Sequence, residues 1–117
     1  MTECLFCQIV SRELPAEIVY ENDRAVAFRD INPQAPFHLL LVPKSHIESL
    51  DQAAATEGDL LKDLLSAAAT VGAEQDTAGY GYRLAINNGR QQAMPHLHIH
   101  VLGGAARLGL VGEVSDS

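Results

Sequence analysis

Between positions 96 and 102 the chain alternates histidine with aliphatic residues: His96-Leu97-His98-Ile99-His100-Val101-Leu102, followed by Gly103-Gly104. A period of two predicts an extended strand, with three imidazoles on one face and Leu97, Ile99 and Val101 turned to the core. Three earlier runs, 17–21, 24–29 and 37–42, also read as strands. The pair Asn22-Asp23 is placed to turn the first back on the second as an antiparallel neighbour, because Asn and Asp tolerate left-handed backbone. Between the second and third strands, Asp30-Ile31-Asn32-Pro33-Gln34-Ala35-Pro36 predicts a rigid loop, its prolines fixing φ and removing two donors.

The period changes after position 56. Leu60, Leu61, Leu64, Leu65, Ala68 and Val71 recur at helical spacing, and Thr56 with Asp59 resembles a capping box at the start of one long helix. Leu5, Ile9 and Val10, following Thr2 and stopping before Pro15, predict a short first helix. Gly79 and Gly81 lead into an alternating run at 82–87, and 88–94 forms a loop before the histidine strand. Helix, three strands, helix, two strands is the order of an α+β fold: an antiparallel five-stranded meander sheet with one short and one long helix.

At 117 residues the chain has room for a single domain with its own core. Eight basic residues against fifteen acidic ones give a net charge of −7, and the aromatics are three Phe and three Tyr. Without a basic cluster to neutralise phosphates, a polynucleotide partner is not expected, although a small anion held locally fits. The start, Met1-Thr2-Glu3-Cys4, lacks the basic and apolar regions of a secretion signal, and no apolar run reaches spanning length, so no membrane partner is expected. The expected location is the cytoplasm. Residues after Leu108 are small and acidic, and a loosely ordered tail is expected there.

Cys4 and Cys7, the only cysteines, are too close for a loop-closing disulfide. Their spacing is that of half a tetrahedral zinc site, the alternative being two small buried thiols flanking Phe6. The other ligands would come from His38, His46, His96, His98 and His100, among which spacing does not choose. The histidine row itself has two readings. Alternate imidazoles can hold a catalytic metal with an open position for water. Otherwise the central imidazole attacks an electrophilic phosphorus or carbonyl, its second ring nitrogen pinned by a polar group. Gly103-Gly104 and the loop before His96 could bring backbone amides to an anion.

The His-φ-His-φ-His-φ-φ run resembles the signature of the histidine triad (HIT) superfamily of nucleotidyl hydrolases and transferases. Cys4-Leu5-Phe6-Cys7, Phe28 through Pro36, His38, Val42-Pro43-Lys44-Ser45-His46 and Leu102-Gly103-Gly104 are similar to its Hint-like branch in particular. The likeness spans residues 4–104, leaving 105–117 as a divergent tail. It implies a homodimer whose two sheets join into one of ten strands. It also implies hydrolysis of phosphoramidates of nucleoside 5'-monophosphates, with purine bases, or of related adducts. His98 would be the nucleophile, forming a nucleotidyl-histidine, with His100 on the phosphate and His38 beside the triad.

By the same resemblance Asp30 would accept the ribose hydroxyls, Asn87 would lie near the phosphate, and Phe6, Ile9, Phe28, Ile31 and Leu40 would form the slot for the base. Cys4, Cys7, His46 and His96 would hold a structural zinc, and no catalytic cofactor is implied. Same-face neighbours on a strand lie about 6.6–6.8 Å apart, so His96 can serve zinc while His98 serves phosphate. Because the attacking imidazole is unprotonated, the rate should fall on acidification.

The chain departs from its relatives in one place that bears on catalysis. Hint-like proteins carry Gly-Gln-Ser or Gly-Gln-Thr before the triad, whereas here Asn87-Asn88-Gly89-Arg90-Gln91-Gln92-Ala93-Met94-Pro95 is two residues shorter, with Ala93 at the hydroxyl position. Nucleotide binding should survive this and leaving-group protonation should suffer. The C-terminus also lacks the Trp-Pro-Pro-Gly-like ending. A purine-nucleotide binding or scaffold protein with weak or lost activity is the alternative, and a metal-dependent hydrolase using the triad as ligands is a third.

Overall fold

In the computed structural model, which describes residues 4–108, five antiparallel strands form one open sheet. They are β1 (Ile18–Glu21), β2 (Ala25–Arg29), β3 (Phe37–Pro43), β4 (Tyr82–Ala85) and β5 (Ile99–Gly103), in the spatial order β1-β2-β3-β5-β4. The five-stranded antiparallel α+β fold is as expected, but the meander runs only through β3. β5 then lies between β3 and β4, paired to both. Burial accounts for this order: every residue of β5 is buried and suits an interior strand, whereas β4 is short, half-exposed and takes the edge. The short first helix expected after Thr2 is formed by Leu5–Val10, and the tail after Leu108 lies outside the described residues.

Among the described residues three α-helices are present where two were expected: α1 (Leu5–Val10), α2 (Leu50–Thr56) and α3 (Gly58–Gln75). The capping box of Thr56 and Asp59 is not formed. The Thr56 hydroxyl instead donates to the Gln52 carbonyl in the last turn of α2, and Glu57, the residue before α3, gives that helix no side-chain cap. α2 has its own start signal, the Ser49 Oγ accepting from the Gln52 amide at 3.1 Å. It buries only Ala53, too little apolar surface to register as a helical period.

The β1–β2 turn works through a side chain rather than through left-handed backbone. Asn22 Oδ1 accepts from the amides of Arg24 and Ala25, both at 2.9 Å, and neither Asn22 nor Asp23 has positive φ. Alternation along the strands separates two cores. Ala25, Ala27, Leu39, Leu41, Leu97, Ile99 and Val101 pack under Leu60, Leu64, Ala68 and Val71 of α3. Burying each of the larger aliphatics contributes about 1.5–3 kcal/mol. On the opposite face Val26, Phe28, Leu40 and Val42 meet Phe6 and Ile9 of α1. β5 ends at Gly103, where a Cβ would run into the Phe37 ring, and at Gly104, whose φ of +97° favours glycine.

Candidate active site and metal centre

The structure starts β5 at Ile99, so only His100 of the triad stands in a paired strand. His96 and His98 lie on the segment leading into it, and all three imidazoles are buried. They are nevertheless on the side away from Leu97, Ile99 and Val101. The Phe6 ring lies 5.1 Å from that of His98 and 5.8 Å from that of His96, both edge-on.

Hydrogen bonds to backbone groups assign the tautomers. His98 Nδ1 lies 2.8 Å from the His96 carbonyl oxygen, which can only accept, so Nδ1 carries the proton and the lone pair is on Nε2. The Gln34 amide donates to His38 Nδ1 at 3.0 Å, which puts the His38 proton on Nε2. That nitrogen donates to His100 Nδ1 at 2.9 Å, leaving the His100 proton on Nε2. Asp30 Oδ2 lies 3.4 Å from His38 Nε2, and Oδ1 accepts from the Asn32 amide at 2.9 Å. The expected rigid loop thus does specific work: its Gln34 amide sets the proton order of a buried row, Asp30, His38 and His100. Sequence reasoning missed that amide, since any residue type supplies one.

A second cluster joins Cys4, Cys7, His46 and His96, whose ligand atoms all lie within 4.8 Å of one another. Cys4 Sγ is 3.2 Å from His96 Nδ1, Cys7 Sγ is 3.2 Å from His46 Nδ1, and Cys7 Sγ is 3.6 Å from His96 Nδ1. Bonds of about 2.0–2.3 Å in a tetrahedron require ligand edges of roughly 3.3–3.8 Å, so the donor set fits zinc. The far side of His96 is prepared as well, because its Nε2–H donates to the Pro43 carbonyl at 3.1 Å and turns Nδ1 toward the sulfurs.

Burial lowers His96 to about 4, which keeps its imidazole in the donor form. Partial burial and the adjacent Cys4 thiol push Cys7 up to about 11, so a cation is what would draw the thiolate out. Cys4 also caps α1, its sulfur accepting from the Cys7 amide at 3.4 Å. Of the two readings of the cysteine pair, the structure brings together the four-ligand set.

The remaining expected residues divide. Phe6, Ile9, Phe28 and Leu40 are buried in one cluster on the histidine face. Ile31 is fully exposed at 100% and packs in neither core. Asn87 is half-buried just after β4. Its neighbour Asn88 makes a reciprocal pair with Asp51, its Nδ2 donating to Oδ2 at 2.9 Å and its Oδ1 accepting from the Asp51 amide at 3.2 Å. Gln92 Nε2 donates to the carbonyls of Glu48 and Met94. These ties hold the short loop against the start of α2, and Ala93 is exposed on it.

The HIT domain matches residues 11–107, and the chain belongs to the HIT family. It is 39% identical over 104 residues to the purine nucleoside phosphoramidase of Escherichia coli strain K12, covering 87% of each chain. Among solved structures, a HIT family hydrolase from Clostridium thermocellum has 40% identity and a TM-score of 0.85, over 95% of this chain and 98% of that one. A zinc-bound histidine triad family protein from Mycobacterium smegmatis has 30% identity and a TM-score of 0.75, over 86% and 73%.

Proposed function

We propose that the protein hydrolyses phosphoramidates of purine nucleoside 5'-monophosphates, or closely related adducts, through a nucleotidyl intermediate on His98. The observation that carries the proposal is the tautomer of His98: with Nδ1–H held by the His96 carbonyl, the lone pair of Nε2 is the nucleophile. Nε2 bonds to the α-phosphorus as the phosphorus–nitrogen bond to the leaving amine breaks, and the amine departs with a proton taken from solvent. Water then bonds to phosphorus and gives up one proton to solvent, the bond to His98 breaks and returns its electron pair to Nε2, and the nucleoside monophosphate leaves.

His100 Nε2–H supplies a donor for a phosphoryl oxygen, and its orientation comes from His38. Asp30 takes the ribose hydroxyls beside His38, and Asn87 approaches the phosphate. The base rests against Phe6, Ile9, Phe28 and Leu40, with exposed Ile31 acquiring a partner only when a base covers it. Zinc, held by Cys4, Cys7, His46 and His96, would supply a cross-link between α1 and the segment before β5. The name of the Escherichia coli relative and the hydrolase neighbour support this class of reaction.

The unit we assign to this function is residues 4–104, with 105–117 as a tail. The outer edge of β4 supports pairing with a second copy into a joint sheet. Among the described residues no helix is long and apolar enough to cross a membrane. We place the protein in the cytoplasm on its sequence. The test is incubation with adenosine 5'-phosphoramidate, acid quench and mass mapping: AMP on the peptide carrying His98, together with AMP release, is expected. AMP binding without an adduct or turnover would instead make the protein a nucleotide-binding or scaffold protein.

A further inference from the structure

His96 sits at the junction of the two sites, and its two ends face different partners. Its ring Nδ1 faces the sulfurs of Cys4 and Cys7, while its own carbonyl accepts the Nδ1–H of His98. We propose that the metal centre is a positioning device for the nucleophile: a zinc ion held through His96 fixes the carbonyl that orients His98. The inference rests on the reading of His98 given above.

Three connections run from the cluster to His98. The first is His96 itself, whose ring is held on one side by the thiols and on the other by the Pro43 carbonyl at 3.1 Å. The second starts at His46, because the next residue, Ile47, offers its carbonyl to the Leu97 amide at 2.7 Å, between His96 and His98. The third is α1, where Cys4 and Cys7 bracket Phe6 and Phe6 stands against the His98 ring. Without an ion, thiol and imidazole are joined only by weak sulfur hydrogen bonds, and His46 is exposed. Coordination replaces those contacts by bonds of fixed length and angle, so the three connections become rigid together.

The experiment compares zinc-loaded protein with chelated protein that circular dichroism shows to be folded. It measures the single-turnover rate of adduct formation from adenosine 5'-phosphoramidate, AMP affinity, and solvent exchange of the His98 Nδ1–H by imidazole ¹⁵N NMR. Removing zinc should slow adduct formation by about 10–100-fold with little change in AMP affinity, and should lose the exchange protection of Nδ1–H. Were the metal purely structural, its removal would lower thermal stability and move neither readout, and unchanged rate and protection overturn the proposal.

Should chelation unfold the chain, His96→Ala removes the ligand that carries the link while leaving Cys4, Cys7 and His46 to hold the ion. With its zinc content confirmed, the variant should show the same loss, and native rate and protection would again overturn the proposal. If loaded native protein forms no adduct at all, the hydrolase reading fails, and Nδ1–H exchange alone decides the coupling.

Discussion

Residues 96–101 belong to two environments at once. On the side of α3, Leu97, Ile99 and Val101 join a dry core of aliphatic side chains of the kind found under any well-packed sheet. On the other side lie four buried histidines and Asp30, packed against Phe6 of α1 and bonded to backbone groups of the 30–36 loop, Pro43 and His96. The first face is held by area, the second by directed bonds to backbone groups. Stability and chemistry are thereby assigned to opposite sides of the same six residues, and the two can be perturbed separately.

The largest effect should come from His98→Asn, which removes the nucleophile: adduct formation and turnover should fall at least about a thousandfold while the urea midpoint stays close to native. Ile99→Ala, one residue away, should do the reverse, costing about 2–5 kcal/mol in urea unfolding with turnover intact in the folded fraction. If the two variants destabilised the chain equally, the division between faces would be wrong.

Cys7→Ser probes where the faces meet. It should lose bound zinc by metal analysis and lower the thermal midpoint, since an ion bound only by the folded chain adds about 4 kcal/mol at a thousand times its Kd.

A smaller gain is expected from Ala93→Ser, which restores a hydroxyl on the short loop. Steady-state turnover of a phosphoramidate should rise about tenfold with KM little changed, and equal turnover would show that leaving-group protonation is not limited there.

The smallest effect lies away from both faces, at Glu21. Hydrogen bonds from Lys44 and Arg12 hold its carboxyl below the usual range. A depressed folded value means that the contribution is present above the unfolded pKa and fades as pH falls through the folded one. Urea midpoints of native protein and Glu21→Gln should therefore differ slightly at neutral pH and converge in acid.

Much of this division was legible in the sequence because it is local. The alternation around His98, the helical period from Leu60 to Val71 and the spacing of Cys4 and Cys7 each lie within one segment. α2 was missed because it sets only Ala53 and a half-buried Leu50 against the core, too few apolar positions to mark a helical period. The position of β5 between β3 and β4 was missed because it depends on pairing between distant segments. At the site, residue types named the candidates, but the Gln34 amide and the Pro43 and His96 carbonyls decide how the imidazoles are protonated and turned. Backbone groups carry no signature in the sequence. Ile31 shows the converse: its apolar type suggested a wall of the site, yet in this state it faces solvent.

The strict alternation also restricts which lengths of chain evolution can try. One residue inserted between His96 and His98 would exchange odd for even beyond it, sending imidazoles into the aliphatic core and aliphatics into the site. The loop at 88–95 lies upstream of that count, pinned by Asn88 and Gln92 rather than by parity. Insertions and deletions can accumulate there without scrambling the histidine row downstream. The site therefore has a fixed reading frame of its own and a variable preface, and differences in leaving group among such chains should be written in the preface.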